Sequence, residues 1–330
     1  MLRILIAIGA VLALLLGWNN SGVIIGSSYG SGLFHYNKSR VIISVGVLVG
    51  ALMEGNKMNH AVFGGLVSPD NLSSNVQAII VLAILVTSIM VLFIFSTLHI
   101  PCSLSLIAAG ASVGAILGLN LTLHINFLVL FVGSWLFLPL LSGLLTMLVY
   151  QPLTAVISRL SLARADLISR LGVGFGIFVV SYVLGANNVG FINGLYAPLL
   201  SKSGEYQLII TLVVSVSAIM GMFLWGRRIT EEIGVKLVVL SPQAIFVGTT
   251  FGALCVWIFT QEGIPISVTH VLIGSIIGAA LSKRIAIINR RVLYGIIFGA
   301  TGSTLLGSIF ALALTKIFLC TLNLLIIPSL

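Results

Sequence analysis

Charge is what this sequence has least of. Of its 330 residues, 16 are lysine or arginine and 7 are aspartate or glutamate, so charged side chains make up 7%, against about 25% in a soluble domain. Hydrophobic residues make up 59%, and the mean hydropathy is +1.22. Despite a net charge of +9, this composition excludes a soluble enzyme, a disordered chain and a nucleic-acid partner. It predicts an all-α polytopic protein embedded in a lipid bilayer.

Side chains that could build a catalytic or metal centre are few and scattered. The three cysteines, Cys102, Cys255 and Cys320, lie far apart in or beside apolar sequence, so neither a disulfide framework nor a cysteine metal site is indicated. The five histidines are separated, and so are the seven acids apart from the adjacent Glu231 and Glu232, whereas an integral-membrane enzyme needs such groups clustered. We therefore predict that the chain is not an enzyme and carries no cofactor.

Apolar runs divide the chain into segments of about membrane length. The first and sixth segments exceed one span and each contains an Asn-Asn pair, so we predict that both are broken helices. Two short glycine-rich segments each follow an X-Pro step, and whether 76–119 and 243–282 form re-entrant hairpins or full passes stays open. The segments are 2–34, 41–55, 76–98, 103–119, 124–150, 171–200, 206–226, 243–261, 267–282 and 292–319.

Basic residues fall in alternate gaps between these segments. Under the positive-inside rule, this distribution places both the N-terminus and the C-terminus outside, in a plasma membrane, whichever hairpin model holds. The four clusters are Lys38 and Arg40; Arg159, Arg164 and Arg170; Arg227, Arg228 and Lys236; and Lys283, Arg284, Arg290 and Arg291.

Two motifs occur twice at nearly one offset. Gly17-Trp18-Asn19-Asn20 recurs 168 residues later as Gly185-Ala186-Asn187-Asn188. Ile100-Pro101-Cys102-Ser103 recurs 164 residues later as Ile264-Pro265-Ile266-Ser267. Glycine pairs that permit close helix packing follow each proline at the same offset. They are Gly110/Gly114 and Gly274/Gly278.

The repeated motifs predict an internal duplication. With about five membrane segments in each half, the two halves have opposite orientations, which is the inverted-topology repeat of secondary transporters. We assign residues 1–150 to the first membrane repeat, 151–170 to a cytoplasmic connector and 171–330 to the second, inverted repeat. A purely structural membrane subunit would not need duplicated helix breaks, which argues against that class.

The paired asparagines mark the candidate site. An unwound helix is costly in lipid unless its free backbone groups line a cavity, and asparagine tolerates such backbone. Asn19, Asn20, Asn187 and Asn188 are therefore predicted to lie at midplane breaks. The alternative is that these amides merely hold helices together by hydrogen bonds.

Hydroxyl residues at two helix starts form the second half of the candidate site. Ser103 and Ser267 are positioned as N-caps, and Ser105 and Thr269 follow in the first turns. A helix N-terminus can bind an anion without help from lysine or arginine. No lysine or arginine lies near the middle of a predicted span. His270 could donate to an oxyanion or exchange a proton, or be purely structural.

One acid, Glu54, falls inside a predicted span. Acids within the membrane are functional by default, so Glu54 is a candidate cation ligand. It lies three residues from Lys57 near the end of its span, and a solvated ion pair between them is an equal alternative.

These motifs resemble those of the inorganic phosphate transporter (PiT) family. Gly185-Ala-Asn-Asn-Val-Gly190 resembles the family's Gly-Ala-Asn-Asp-Val-Ala signature, and the segment from Gly17 to Ser31 resembles its N-terminal copy. Pro265-Ile-Ser-Val-Thr-His270 is similar to the family's Pro-Val-Ser-Thr-Thr-His. Between them, Gly226–Gly234 is similar to the family's basic cytoplasmic stretch. The resemblance covers nearly the whole chain.

The resemblance implies a homodimeric symporter that moves inorganic phosphate with Na⁺, or with H⁺ in some members, while some relatives carry sulfate. It places the coupling ion at Asn19, Asn20, Asn187 and Asn188. Phosphate would be bound by Ser103, Ser105, Ser267, Thr269, His270, Asn20 and Asn188.

The sequence departs from the family pattern at the signature acids. Asn20 and Asn188 stand where the family has aspartate, and the first copy of the Ser-Thr-Thr-His motif lacks its histidine. Two fewer carboxylates weaken a sodium site, or leave sodium to neutral amide and backbone carbonyl oxygens. Proton coupling would need another titratable group, for which His270 and Glu54 are the candidates. A sulfate or other oxyanion permease on the same scaffold is the alternative function.

Overall fold

The computed structural model describes residues 2–30, 32–68, 72–98, 100, 102–200, 204–229, 241–282 and 290–326. Within these ranges the chain forms helices and loops without a β-strand, apart from one isolated bridge between Phe63 and Val67. The helices of the first half are α1 (Leu2–Gly30), α2 (Tyr36–Glu54), α3 (Ser74–Thr97), α4 (Leu104–Gly118) and α5 (Ile125–Ile157). A 3₁₀ turn, Gly55–His60, follows α2.

The second half repeats this order of long and short helices. Its helices are α6 (Leu162–Leu184), α7 (Gly190–Gly194), α8 (Gly204–Ile229), α9 (Pro242–Gln261), α10 (Val268–Ser282) and α11 (Arg290–Ile326). A π-helical turn, Gly185–Val189, joins α6 to α7, and a 3₁₀ turn, Ala197–Leu199, follows α7.

Eight helical segments of the described chain are long and apolar enough to cross a membrane. Helices α4 and α10 have 15 residues each. At 1.5 Å per residue each is about 22 Å long, shorter than the hydrocarbon core of about 30 Å. Within the described residues, neither helix is long enough by itself to cross that core, whereas α3 and α9, with 24 and 20 residues, have spanning length.

In several pairs of equivalent helices, each helix packs on a helix of the other half. Helix α1 packs on α8 and its equivalent α6 packs on α2; likewise α4 packs on α11 and its equivalent α10 packs on α5. Each half therefore completes the other, as an internal duplication predicts. The orientation of the halves relative to a membrane stays a prediction.

The repeated glycine pairs lie where short helices meet long ones. A Cβ atom added at Gly114 would lie 2.0 Å from the carbonyl oxygen of Ser308 in α11, and one at Gly278 would lie 2.1 Å from that of Gly143 in α5. These contacts confirm that the pairs permit close helix packing. The other member of each pair makes the same approach: Gly110 to Thr304 and Gly274 to Pro139.

The link between the halves is shorter than the predicted connector. Helix α5 continues to Ile157 and α6 begins at Leu162, so residues 158–161 form the loop. Arg159 in this loop and Arg164 in the first turn of α6 are exposed. Of the other basic clusters, Lys236, Lys283 and Arg284 lie outside the described residues, as does Pro101 of the first repeated proline motif.

The predicted break at the first asparagine pair is wrong. Helix α1 continues without interruption through Asn19 and Asn20. The helix survives because these amides find partners within the protein, including the carbonyl of Leu16 one turn earlier. At the second pair, Asn187 and Asn188, the chain widens into the π-helical turn instead of unwinding. Such turns occur often at functional sites.

Candidate functional site

The first asparagine of each pair ties neighbouring helices together. Asn19 Nδ2 donates to Ser96 Oγ at 3.1 Å and to Cys102 Sγ at 3.6 Å. Asn187 Nδ2 donates to Thr260 Oγ1 at 2.9 Å. Ser96 and Thr260 are separated by the 164-residue offset of the duplication, so the same contact is built twice. These hydrogen bonds hold neighbouring helices together, which was the alternative role considered for the asparagine pairs.

Asn187 also shapes the loop between α9 and α10. Its Nδ2 donates to the carbonyl of Ile264 at 3.1 Å, and its Oδ1 accepts from the backbone nitrogen of Ile266 at 3.0 Å. The Asn187 amide therefore provides hydrogen-bond partners for the carbonyl of Ile264 and the backbone N–H of Ile266. Without it, these two backbone groups of a non-helical segment would be buried without those partners. Asn187 is 0% exposed, so the arrangement is closed to solvent.

The second asparagines differ between the halves. Asn20 Oδ1 accepts from Thr269 Oγ1 at 3.0 Å, and its Nδ2 donates to the carbonyl of Leu16 at 3.1 Å. Asn188 is 2% exposed, and within the described part of the chain its Oδ1 has no hydrogen-bond partner. The equivalent of Thr269 in the first half is Ser105, whose hydroxyl instead donates to the carbonyl of Ile266 at 2.9 Å.

The two N-cap serines also differ. Ser267 Oγ accepts from the backbone nitrogen of His270 at 3.3 Å and contacts the Nδ1 atom of its ring, which confirms Ser267 as a cap. Ser103 occupies the N-cap position of α4, but its side chain makes no capping hydrogen bond. The first-turn amides of α4 are therefore less satisfied than those of α10.

The contact between Ser105 and Ile266 brings the starts of α4 and α10 side by side. The surrounding predicted residues are neutral and at most 6% exposed, except the partly buried His270. Each helix start carries about half a positive charge. We call this group the hairpin cluster; it comprises Asn19, Asn20, Ser103, Ser105, Asn187, Asn188, Ser267, Thr269 and His270.

The described residues hold no group of three or more histidines, cysteines, aspartates or glutamates that could bind a metal ion. A cation in the hairpin cluster would therefore be held by neutral oxygens. Asn188 Oδ1 is the unpartnered oxygen already described, and backbone carbonyls near the π-helical turn are further ligands of the type that hard cations accept.

Glu54 lies in a separate hydrogen-bonded group at the end of α2. Its Oε2 accepts from Trp257 Nε1 and from Gln261 Nε2, each at 3.0 Å, and Lys57 donates to Gln261 Oε1. Gln261 thus stands between Glu54 and Lys57, which were the partners of the anticipated ion pair. Trp257 and Gln261 were not identified from the sequence.

Comparisons with known proteins divide the chain into the same two halves as the structure. The sequence profile of the Phosphate transporter family matches residues 16–171 and, a second time, residues 164–311. The chain belongs to this phosphate transporter family. Because each match covers about one half, the phosphate transporter repeat corresponds to one half of the fold. The chain is a multi-pass membrane transporter and not an enzyme.

Two relatives and one solved structure align with most of this chain. It is 26% identical over 290 residues to a "Putative phosphate permease" of Methanocaldococcus jannaschii, covering 87% of this chain and 88% of the relative. It is also 26% identical over 273 residues to the sulfate permease CysP of Bacillus subtilis, covering 82% and 75%. The structure described as "The sodium-dependent phosphate transporter" matches with a TM-score of 0.86 at 17% identity, covering 96% and 98%, which establishes the shared fold.

Proposed function

We propose that this transporter imports inorganic phosphate together with a cation, Na⁺ or H⁺, by alternating access. It would act as a homodimer in the plasma membrane, with both termini outside. The family and the phosphate permease relative support phosphate as the substrate. The hairpin cluster would hold the anion, at the point where the two halves of the duplication meet.

The pairing of two helix starts is the observation that carries this proposal. The Ser105–Ile266 hydrogen bond of 2.9 Å puts the N-terminus of α4 beside that of α10. Backbone amides and hydroxyls there offer donors to an oxyanion, and no cationic side chain is needed. The uncapped position of Ser103 leaves first-turn amides of α4 for the ligand.

Asn188 favours phosphate over sulfate. Its Oδ1 is a buried acceptor without a partner among the described residues. At neutral pH phosphate still carries a hydroxyl that can donate to this oxygen, whereas sulfate carries none. A bound phosphate would thus relieve a buried unsatisfied group, which costs about 1–3 kcal/mol when left unpaired. Sulfate remains the second candidate because the Bacillus subtilis relative is a sulfate permease.

The coupling ion would be held differently from that of the family pattern. With asparagine at positions 20 and 188, sodium would bind neutral amide and carbonyl oxygens. Proton coupling would use His270, which contacts Ser267 in the hairpin cluster, or Glu54 at the end of α2.

Uptake of radiolabelled phosphate into proteoliposomes tests the function. Sodium and proton gradients are imposed separately, and excess unlabelled sulfate is added in a parallel series. We expect phosphate accumulation under one of the two gradients that sulfate does not abolish. Accumulation of labelled sulfate, with phosphate competing weakly, would select the second candidate. Indifference to both gradients would contradict cation coupling.

A further inference from the structure

A guanidinium group near the start of α2 is held between two aromatic rings. The Cζ atom of Arg40 lies 4.6 Å from the centroid of the Tyr36 ring and 4.4 Å from that of Phe223 in α8. Its Nη2 atom donates to Asn37 Oδ1 at 2.5 Å. Aromatic rings over a guanidinium fix its plane and leave the N–H groups along its edge for a ligand.

Within the described part of the chain, most donors of this guanidinium have no protein partner. Arginine offers five N–H groups, and the structure shows one of them bonded, to Asn37. The Nε atom is buried and has no partner among the described residues. The ion pair found in the described chain joins Arg170 to Asp166 and does not involve Arg40. Among the described residues no carboxylate pairs with this partly buried charge, and an anion would relieve the cost of leaving it unpaired.

The position of Arg40 brings it near two sources of phosphate. Arg40 lies in the first turns of the candidate span Tyr36–His60, and Phe223 lies near the end of the span Tyr206–Gly226, so the guanidinium sits where lipid headgroups are expected. On the protein side, a Cβ atom added at Gly226 would lie 3.5 Å from the Tyr36 hydroxyl and 2.8 Å from Ser21 Oγ. Ser21 follows Asn20 of the hairpin cluster directly.

We propose that Arg40 binds a phosphate group at a site separate from the hairpin cluster. The N–H groups at the outer end of the guanidinium, on the Nη1 and Nη2 atoms, match two oxygens of a tetrahedral phosphate. The phosphate group belongs either to an anionic lipid headgroup or to a free phosphate ion moving to or from the hairpin cluster. The site does not rest on the proposed transport function, because a lipid can bind a chain of any function.

The full chain and its Arg40→Gln variant are compared in two arms. In detergent without lipid, equilibrium binding of radiolabelled inorganic phosphate is measured. In nanodiscs with and without phosphatidylglycerol, native mass spectrometry counts the anionic lipids retained per chain. Arg164→Gln removes the same charge from an exposed position in the first turn of α6 and is the matched control. Arg40→Lys keeps the charge but loses the paired donors, which keeps the test valid if the glutamine variant aggregates.

The two arms identify the source of the phosphate group. For a lipid site, Arg40→Gln should retain about one lipid fewer per chain, with phosphate binding unchanged. For a free-ion site, phosphate affinity should fall about tenfold or more, because the charge-assisted hydrogen bonds of the guanidinium are lost, with lipid retention unchanged. Arg40→Lys should fall between these values and wild type. If Arg40→Gln and Arg164→Gln agree with each other in both arms, the proposal is wrong.

Discussion

Thr269 Oγ1 donates to Asn20 Oδ1 across 3.0 Å, which joins the second short helix to the first long one. The duplication provides an equivalent pair, Ser105 and Asn188, but Ser105 donates to the carbonyl of Ile266. The hairpin cluster is therefore asymmetric: it is closed at Asn20 and leaves a buried acceptor at Asn188. Because the equivalent contacts of the duplication differ, the two sides of the hairpin cluster are not equivalent.

Replacing Thr269 with valine tests the bond to Asn20. Valine has nearly the same shape but donates no hydrogen bond, so Asn20 Oδ1 would lose the partner that the structure shows. We expect phosphate uptake to fall about tenfold, the effect of roughly 1.4 kcal/mol. Thr269→Ser keeps the hydroxyl and should retain most of the uptake. Equal uptake by the valine and serine variants would show that this hydroxyl is not needed.

Asn187 and Asn188 should separate stability from transport. Asn187 satisfies Thr260 and two backbone groups, so Asn187→Leu should lower the free energy of unfolding by about 2 kcal/mol or more. Asn188 Oδ1 has no partner in the described chain, so Asn188→Leu should leave stability near wild type and abolish phosphate uptake. Thermal unfolding in detergent and proteoliposome uptake measure the two effects.

The opposite pattern would be decisive against this division. If Asn188→Leu loses stability while Asn187→Leu keeps wild-type stability but loses phosphate uptake, Asn187 holds the ligand and Asn188 is structural. Equal losses of stability in both variants would show that the two amides act as one structural unit.

Sequence repeats located the hairpin cluster because duplicated chemistry leaves matching residue types at a fixed offset. The offset of 164 residues linked Ser103 with Ser267 and predicted that both glycine pairs pack closely. The same comparison could have found Ser96 and Thr260, small hydroxyl residues in otherwise apolar segments. They were missed because each alone is an ordinary helix residue.

Local sequence could not predict the state of the backbone at the asparagines. Whether Asn19 and Asn20 break α1 depends on partners that lie far along the chain, such as Ser96 and Thr269. Once those partners are present, the helix keeps its own hydrogen bonds. Likewise, the position of Gln261 between Glu54 and Lys57 depends on the packing of α9 against the end of α2, which no local pattern reports.

Because α4 packs closely on α11, an alanine at Gly114 should destabilise the protein, whereas an alanine at Gly133 should not. A Cβ atom at Gly114 would lie 2.0 Å from the backbone oxygen of Ser308, so Gly114→Ala must push the helices apart. We expect a cost of about 1–3 kcal/mol, measured by thermal unfolding in detergent. At Gly133 of α5 a Cβ atom would meet nothing within 4 Å, and Gly133→Ala should stabilise the helix slightly. Destabilisation by both changes to the same extent would mean that helix packing is not the cause.

Loss of the Ser105–Ile266 hydrogen bond should make Cys102 react faster with a maleimide. The Cys102 side chain is 0% exposed and lies beside Ser103 at the start of α4. The proposed alternating access requires the hairpin cluster to open, and Ser105→Ala removes a bond between the two short-helix starts. We therefore expect a maleimide to label Cys102 several times faster in Ser105→Ala than in the parent chain. Cys255 and Cys320 are replaced by alanine in both proteins.

Ser112→Ala is the matched control, because the Ser112 hydroxyl bonds within its own helix, to the carbonyl of Ala108 at 2.7 Å. Its labelling rate should equal that of the parent chain. Saturating phosphate should slow the labelling of Ser105→Ala, since a ligand between the two helix starts would oppose their separation. If Ser105→Ala labels at the parent rate with and without phosphate, the contact between α4 and α10 does not limit opening of the cluster.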